Sequence, residues 1–136
     1  MMKKNLSLTG RIKAFESIVS SAECSNIKGE KISIESGIET INEQLIRIKE
    51  NDLSVYVVGN GGSAGIASHV VNDLVNIGKL KAHSFHDISL LTCMANDYGY
   101  KNVYSEPLRI MIKSDDILIA ISSSGESENI INSTDT

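Results

Sequence analysis

At 136 residues and 14.7 kDa the chain fits one domain of ordinary size. Its 41% hydrophobic and 22% charged residues exclude a disordered or collagen-like polymer. A net charge of −4 and a pI near 5.3 argue against a general nucleic-acid binder or a polybasic membrane-surface protein, since both need clustered positive charge.

No apolar run approaches the roughly 20 residues that a bilayer span requires. The start, Met1 to Leu6, opens like a signal peptide, but Ser7, Thr9 and Arg11 interrupt any apolar stretch, so the expected location is the cytoplasm. Aromatic residues make up 4% with no Trp, which leaves no platform for stacking bases. Cys24 and Cys93 lack C-x-x-C or metal spacing, and both are expected to be free thiols packed as small apolar groups. Ile and Ser each occur 19 times, so the core is aliphatic and the serines need explaining by position.

The first predicted element is an amphipathic helix over residues 7–23, with Leu8, Ile12, Phe15, Val19 and Ala22 spaced 4-3-4-3. A polar break from Ser25 to Ser33 follows. Ile34, Ile38, Ile41, Leu45 and Ile48 repeat the spacing, giving a second helix that runs to Glu50 and stops at Asn51-Asp52. Gly37 sits inside it at a cost of about 1 kcal/mol against Ala. Both helices either pack on the domain's own sheet or form part of a subunit interface.

At Ser54 the period changes. The run Ser54 to Val58 is short, continuous and β-branched, as a parallel strand covered on both faces should be. Gly59-Asn60-Gly61-Gly62-Ser63 breaks it, and a helical period returns from Ala64 to Ile77, with Gly78 as the residue expected to end it. Lys81–Phe85 reads as a second strand, and Asp87 as the N-cap of a helix over Ser89–Ala95. A further helix is predicted over Val103–Ile112, then a buried-type strand over Asp116–Ile121. The stretch from Ser122 to Ser127 breaks that strand, and Glu128 begins another helix. Strands alternating with helices predict an α/β fold with a parallel sheet. The expected organisation is a helical segment over residues 1–53 and an α/β domain over 54–136.

Ligands of open α/β sheets bind at the carboxyl ends of the strands, where two of these loops fall. The three glycines of residues 59–63 let the backbone turn tightly and present N–H groups to an anion at a helix N-terminus. The loop matches neither G-x-x-x-x-G-K-[ST] nor G-x-G-x-x-G. Ser122, Ser123, Ser124 and Ser127 supply four hydroxyls within six residues, a neutral donor set suited to a phosphomonoester. The same residues also describe a Ser-rich turn with N-cap chemistry. On the helix after the first loop, His69 and Asp73 are four apart and share a face. They border the apolar stripe of Ile66, Val70, Leu74 and Ile77, which Ala67, Val71 and Val75 widen, and there a carboxylate can be partly desolvated and act as a base. The pair could also give two metal ligands, or be a solvated local contact. Asn96 to Tyr100 offers an amide, a carboxylate and two phenols to sugar hydroxyls, or simply a helix C-terminal turn. His83 and His86 have no partner spacing and are expected to be structural or exposed. Cys93 is expected to pack in its helix.

Taken together, the Gly59–Ser63 loop, His69, the Asn96-Asp97-Tyr98-Gly99 segment and the Ile121–Ser127 segment resemble the sugar isomerase (SIS) domain family, nearest its phosphoheptose isomerase branch. The resemblance implies a flavodoxin-like α/β sandwich that binds phosphosugars and assembles as a homo-oligomer, dimer or tetramer. It implies that Asn60, Gly61 and Gly62 contact substrate, that Ser63, Ser122, Ser123, Ser124 and Ser127 hold its phosphate, and that Asn96 and Asp97 hold its hydroxyls. By the same resemblance His69 is a zinc ligand, and Asp73 stands where active isomerases carry a glutamate that is the catalytic base and can ligate zinc. Asp73 is one methylene shorter than that glutamate. The family also continues for roughly another third beyond the position of Thr136, so the resemblance implies a truncated domain or part of a longer one. Three functions are open at this stage: an aldose–ketose isomerase of phosphosugars, a phosphosugar-binding module without catalysis, and a structural α/β subunit.

Overall fold

The structure, a computed structural model, describes residues 7–136. The signal-peptide-like start, Met1 to Leu6, lies outside the described residues. Two compact units divide the chain, one reaching Gln44 and the other running from Leu45 to Thr136.

In the first unit, α1 spans Leu8–Ser20, capped by the Ser7 hydroxyl accepting from the Gly10 N–H at 3.2 Å. Leu8, Ile12, Phe15, Ile18 and Val19 are exposed. The polar break holds a small antiparallel pair, β1 (Cys24–Ser25) and β2 (Lys31–Ile32), which periodicity over so short a stretch cannot signal. The Asn26 side chain closes it by accepting from the N–H groups of Lys28 and Glu30. The next helix, α2, spans Ile34–Glu50 as predicted and crosses the division between the units. Gly37 is buried there, and a Cβ at this position would lie 2.5 Å from the Cys24 Sγ. Close approach, not flexibility, explains the glycine.

The second unit is an α/β fold around a parallel sheet of order β4-β3-β5: β3 is Ser54–Gly59, β4 Lys81–His83 and β5 Ile117–Ile121. Alternation along β3 divides the core in two. Val55 and Val57 face Ile48, Ala67, Leu80 and Ala82, while Tyr56 and Val58 face Phe85, Val103, Tyr104, Leu108 and Ile130. Asp116 fixes the start of the sheet by accepting from the N–H groups of Ser54 at 2.8 Å and Lys113 at 2.9 Å. As an edge strand, β5 is half-buried rather than fully covered, and Ala120 is exposed.

The helices are α3 (Gly62–Asn76), α4 (Ile88–Tyr98), α5 (Ser105–Met111) and α6 (Glu128–Thr134), with one 3-10 turn at Tyr100–Asn102. Asp87 caps α4 as expected, accepting from Ser89 and Leu90 at 3.0 Å each. The buried side of α3 centres on Ala67, Val70, Val71 and Leu74. Ile66 and Ile77, expected in that stripe, are 56% and 76% exposed, because the helix is rotated towards its small-residue side at Ala67. Its end differs too: Lys79, not Gly78, takes the positive φ of 55°. Gly78 instead permits a tight pass, since a Cβ there would meet the Leu74 carbonyl oxygen at 2.7 Å.

Candidate functional site

Gly59 ends β3 and pairs with Ile121 at the end of β5, so the glycine loop and the serine loop leave the sheet side by side. Gly59 is required sterically: a Cβ would lie 2.7 Å from the Ser63 carbonyl oxygen. Gly61 carries a φ of +52°, accessible to glycine at little cost, and turns the chain into α3. The Asn60 carbonyl accepts from the Ser63 N–H at 2.9 Å. The N–H groups of Gly61 and Gly62 precede the first intrahelical bond, which leaves them as donors at a positive helix end.

The serine loop is organised by its own hydroxyls. Ser122 Oγ accepts from the Gly125 N–H at 3.0 Å, and Ser124 Oγ accepts from the Glu126 N–H at 3.2 Å. Both oxygens act as acceptors inside the loop, so both O–H groups remain to donate to an anion. Gly125 makes the turn at φ +70°. Ser123 is exposed, and Ser127 stands at the start of α6 without a side-chain cap bond.

A groove of about 330 Å³ lies where Asn60 and Ser127 meet the 3-10 turn and the start of α6, lined also by Tyr100, Lys101, Glu128 and Asn129, and it takes in none of Gly61, Gly62, Ser63 or Ser122 to Ser124. Three of these, Lys101, Glu128 and Asn129, are not among the site residues singled out from sequence, whereas Tyr100 is one of the two phenols expected to meet sugar hydroxyls. Asn60 Nδ2 donates to Asn129 Oδ1 at 2.8 Å, and Asn129 Nδ2 donates back to Asn60 Oδ1 at 2.9 Å. The Tyr100 hydroxyl reaches Asn60 Oδ1 at 3.3 Å, and that of Tyr104 donates to the Gly59 carbonyl at 2.7 Å. Burial pushes the Tyr104 phenol up to about 12, so it remains a donor throughout the physiological range.

His86 also supports this corner. Its Nδ1 lies 3.1 Å from Ser68 Oγ, and its ring meets Tyr104 edge-on at 6.0 Å. Nε2 is buried without a hydrogen bond of proper geometry. Burial lowers the imidazole below its ordinary value, an effect only partly offset by the nearby Gly59 carbonyl. Reading His86 as structural is consistent with this place, whereas no spacing in the sequence pointed to Ser68 or Tyr104. His83 is exposed on its strand and stacks on Tyr56 at 5.4 Å.

His69 and Asp73 pair on α3 at 3.5 Å between Nε2 and Oδ2, with side chains 78% and 56% exposed. Asp73, expected to be partly desolvated beside the apolar stripe, is more than half exposed. Zinc takes three or four protein ligands. His69 and Asp73 provide two, and no group of three His, Cys, Asp or Glu among the described residues could hold a metal ion. These donors alone do not complete a zinc site.

Asn96 and Asp97 lie in the last turn of α4, both exposed, with Asn96 Nδ2 donating to Asp97 Oδ1 at 2.8 Å. Cys93 does not pack in its helix as expected. It is exposed, and its thiol, 3.6 Å from Asp97 Oδ2, is pushed up by that hydrogen bond and by the carboxylate's charge. A larger cleft of about 530 Å³, lined in part by Arg109, Lys113 and Asp116, opens at the opposite end of β5 and brings together none of the predicted site residues.

A family model described as SIS domain matches residues 21–135. The phosphoheptose isomerase of Sulfurimonas denitrificans is 37% identical over 123 residues, covering 86% of this chain and 63% of that protein. That of Helicobacter pylori strain P12 is 37% identical over 110 residues, covering 74% and 57%. Among solved structures, the phosphoheptose isomerase GmhA from Neisseria gonorrhoeae superposes with a TM-score of 0.72 at 32% identity, covering 95% of this chain and 68% of that one. A phosphoheptose isomerase from Francisella tularensis superposes with a TM-score of 0.64 at 28% identity, covering 92% and 68%. The chain therefore spans about three fifths of the length of the curated relatives it matches. Among the described residues no helix is long and apolar enough to cross a membrane.

Proposed function

This chain belongs to the SIS domain family, and from that premise we propose that it is the phosphosugar-binding part of a phosphoheptose isomerase acting on sedoheptulose 7-phosphate. The observation that carries the reading is the pairing of Gly59 with Ile121, which sets a glycine loop and a serine loop beside each other at the carboxyl ends of adjacent strands. Free helix N–H groups and the Ser122 and Ser124 hydroxyls offer a phosphate several converging donors without a cation.

In this reading Gly61, Gly62, Ser63, Ser122, Ser123, Ser124 and Ser127 surround the phosphate, and Asn60, Asn96 and Asp97 serve the sugar. Isomerisation needs a base that lifts a proton from the carbon beside the carbonyl and returns it to the former carbonyl carbon through an enediol. Asp73 is our candidate for that base, with His69 beside it. Zinc at this pair would need further donors beyond the described residues, and no step is routed through it. A cytoplasmic homo-oligomer completes the proposal. The exposed apolar residues of α1, with Ile38 and Ile41 of α2, favour a dimer or tetramer of this chain. Sedimentation as a well-behaved 14.7 kDa particle would refute that part.

The test is calorimetric titration with sedoheptulose 7-phosphate and, separately, with unphosphorylated sedoheptulose. The phosphorylated sugar should bind more tightly by about tenfold or more, and Ser124→Ala should erase most of the difference. Equal affinity for the two sugars would overturn the reading. A second reading, a phosphosugar-binding module without turnover, is favoured by one observation: the Asp73 side chain is 56% exposed on α3 and is not among the residues that line the groove beside the loops.

A further inference from the structure

Two asparagines that lie 69 residues apart form a closed amide pair in the groove. One follows directly on Gly59. The other is the second residue of α6, just past the serine loop. Both bonds are short, at 2.8 and 2.9 Å, and they run in opposite senses, so each amide satisfies the other. Asn129 is 3% exposed, a rare state for an amide unless it is bonded. Among the described residues, no other side-chain hydrogen bonds join the two loops.

The pair also restricts what Asn60 can do. Its Oδ1 receives Asn129 Nδ2, lies 3.3 Å from the Tyr100 hydroxyl and 3.4 Å from that of Tyr104. The single Tyr104 proton is committed to the Gly59 carbonyl at 2.7 Å, but its oxygen still crowds the same acceptor. A carbonyl so surrounded has no lone pair to spare for a sugar hydroxyl. The Asn60 carbonyl is therefore committed to the protein, which leaves the second Nδ2 hydrogen as the side chain's contact with a sugar oxygen, and the amide pair holds the backbone that leads to Gly61 and Gly62.

We propose that Asn129 is a positioning residue: its amide holds Asn60, and with it the glycine loop, against the serine loop, so that the donors of both loops form one anion site. Donors on two independent loops drift relative to each other, and binding several oxygens of one group demands agreement within a fraction of an ångström. A reciprocal amide pair supplies that agreement without placing a charge in the groove. The proposal rests on the phosphosugar reading for its ligand, and on geometry alone for the coupling between the loops.

The experiment compares Asn129→Leu, Asn60→Ala, their double variant and Asn132→Ala by titration with sedoheptulose 7-phosphate. Asn132→Ala is the control, because it removes bonds from the same helix to the Lys101 carbonyl and to Asn102 but none to the glycine loop. Asn129→Leu should weaken binding by about tenfold, and Asn132→Ala by less than about twofold. The double variant should bind no more weakly than the worse single, since each change breaks the same link. Unchanged affinity in Asn129→Leu, or losses that multiply in the double variant, would overturn the proposal. Should Asn129→Leu fail to fold, Asn129→Asp replaces it; the carboxylate keeps the shape but sets an acceptor against Asn60 Oδ1, with the same outcomes expected.

Absence of sugar binding by the unaltered chain would sink the phosphosugar reading and leave the coupling to a second measurement. Amide hydrogen exchange at Ser63 and Ala64, whose N–H groups bond the Asn60 carbonyl at 2.9 and 3.3 Å, should then be about tenfold faster in Asn129→Leu, and unchanged in Asn132→Ala. Equal exchange in the Asn129 variant and the unaltered chain would overturn the coupling itself.

Discussion

Tyr104 donates its phenolic proton to the Gly59 carbonyl at 2.7 Å, from a side chain only 2% exposed. The bond pins the last residue of the central strand just where the glycine loop begins. It requires the protonated phenol, and burial pushes that phenol up to about 12 from its ordinary 10. An unfolded chain would ionise this tyrosine first. The stabilisation is thus complete below pH 10 and is lost as pH rises towards 12, at a cost on the order of 2 kcal/mol. Tyr104→Phe should lower stability at neutral pH, but its urea midpoint should fall less steeply over that alkaline interval. Parallel curves for the two proteins would show that the phenol carries no such linkage.

On the acid side the sensitive group is His86. Its ring is held neutral by burial between Ser68, Gly59 and Tyr104, below the ordinary 6.5. The unfolded chain takes up the proton first as pH falls. Stability from this group is therefore full above pH 6.5 and declines as pH drops through 6.5 towards the lowered folded value. In His86→Gln the decline between neutrality and about pH 5 should be shallower than in the unaltered chain. Identical acid limbs in denaturation curves would dismiss the linkage.

Gly37 and Cys24 provide a packing test in the first unit. Alanine is favoured over glycine within a helix by about 1 kcal/mol. Here the added Cβ would lie 2.5 Å from Cys24 Sγ, so the thiol must rotate away. The two effects nearly cancel in Gly37→Ala. In a Cys24→Ala background the obstruction is gone, and Gly37→Ala should then stabilise by about 1 kcal/mol. Thermal denaturation of the four proteins gives the coupling directly, and additive changes would mean that the sulfur was no obstacle.

What the sequence made legible follows the range of the forces involved. The run Ser54 to Val58 and the break at Gly59 are local signals, and β3 with its glycine loop stands where they point. Asp87 is equally local, its carboxylate accepting from residues two and three ahead. The Asn60–Asn129 pair spans 69 residues, and nothing in the composition around Asn129 sets it apart from Asn132, which bonds the 3-10 turn instead. The face of α3 departs from the apolar ranking, because the helix is rotated so that Ala67 rather than Ile66 meets the strand. Size and apolarity rank isoleucine first, but the close approach of helix and sheet favours the smaller side chain. Cys93 is exposed because it shares the outer side of α4 with Asp97, to which its thiol is bonded.

Catalysis turns on Asp73. The carboxylate sits 3.5 Å from His69 Nε2 on an exposed face of α3, whereas the phosphate donors lie on the two strand-end loops. Binding and proton transfer should therefore separate. Asp73→Asn should abolish any turnover of sedoheptulose 7-phosphate while leaving its affinity within about threefold, because the amide keeps the shape but cannot take the proton. Asp73→Glu extends the carboxylate by one C–C bond, about 1.5 Å, which is enough to bring a base into or out of hydrogen-bond reach of a substrate carbon. If the unaltered chain binds without turnover and Asp73→Glu turns over, the length of this side chain was the defect. If both bind and neither turns over, the chain is a binding module as it stands, and the missing chemistry belongs to groups beyond this helix. Turnover that survives Asp73→Asn would move the base to another residue, and a pH profile of kcat/KM for that variant would show which class of group it is.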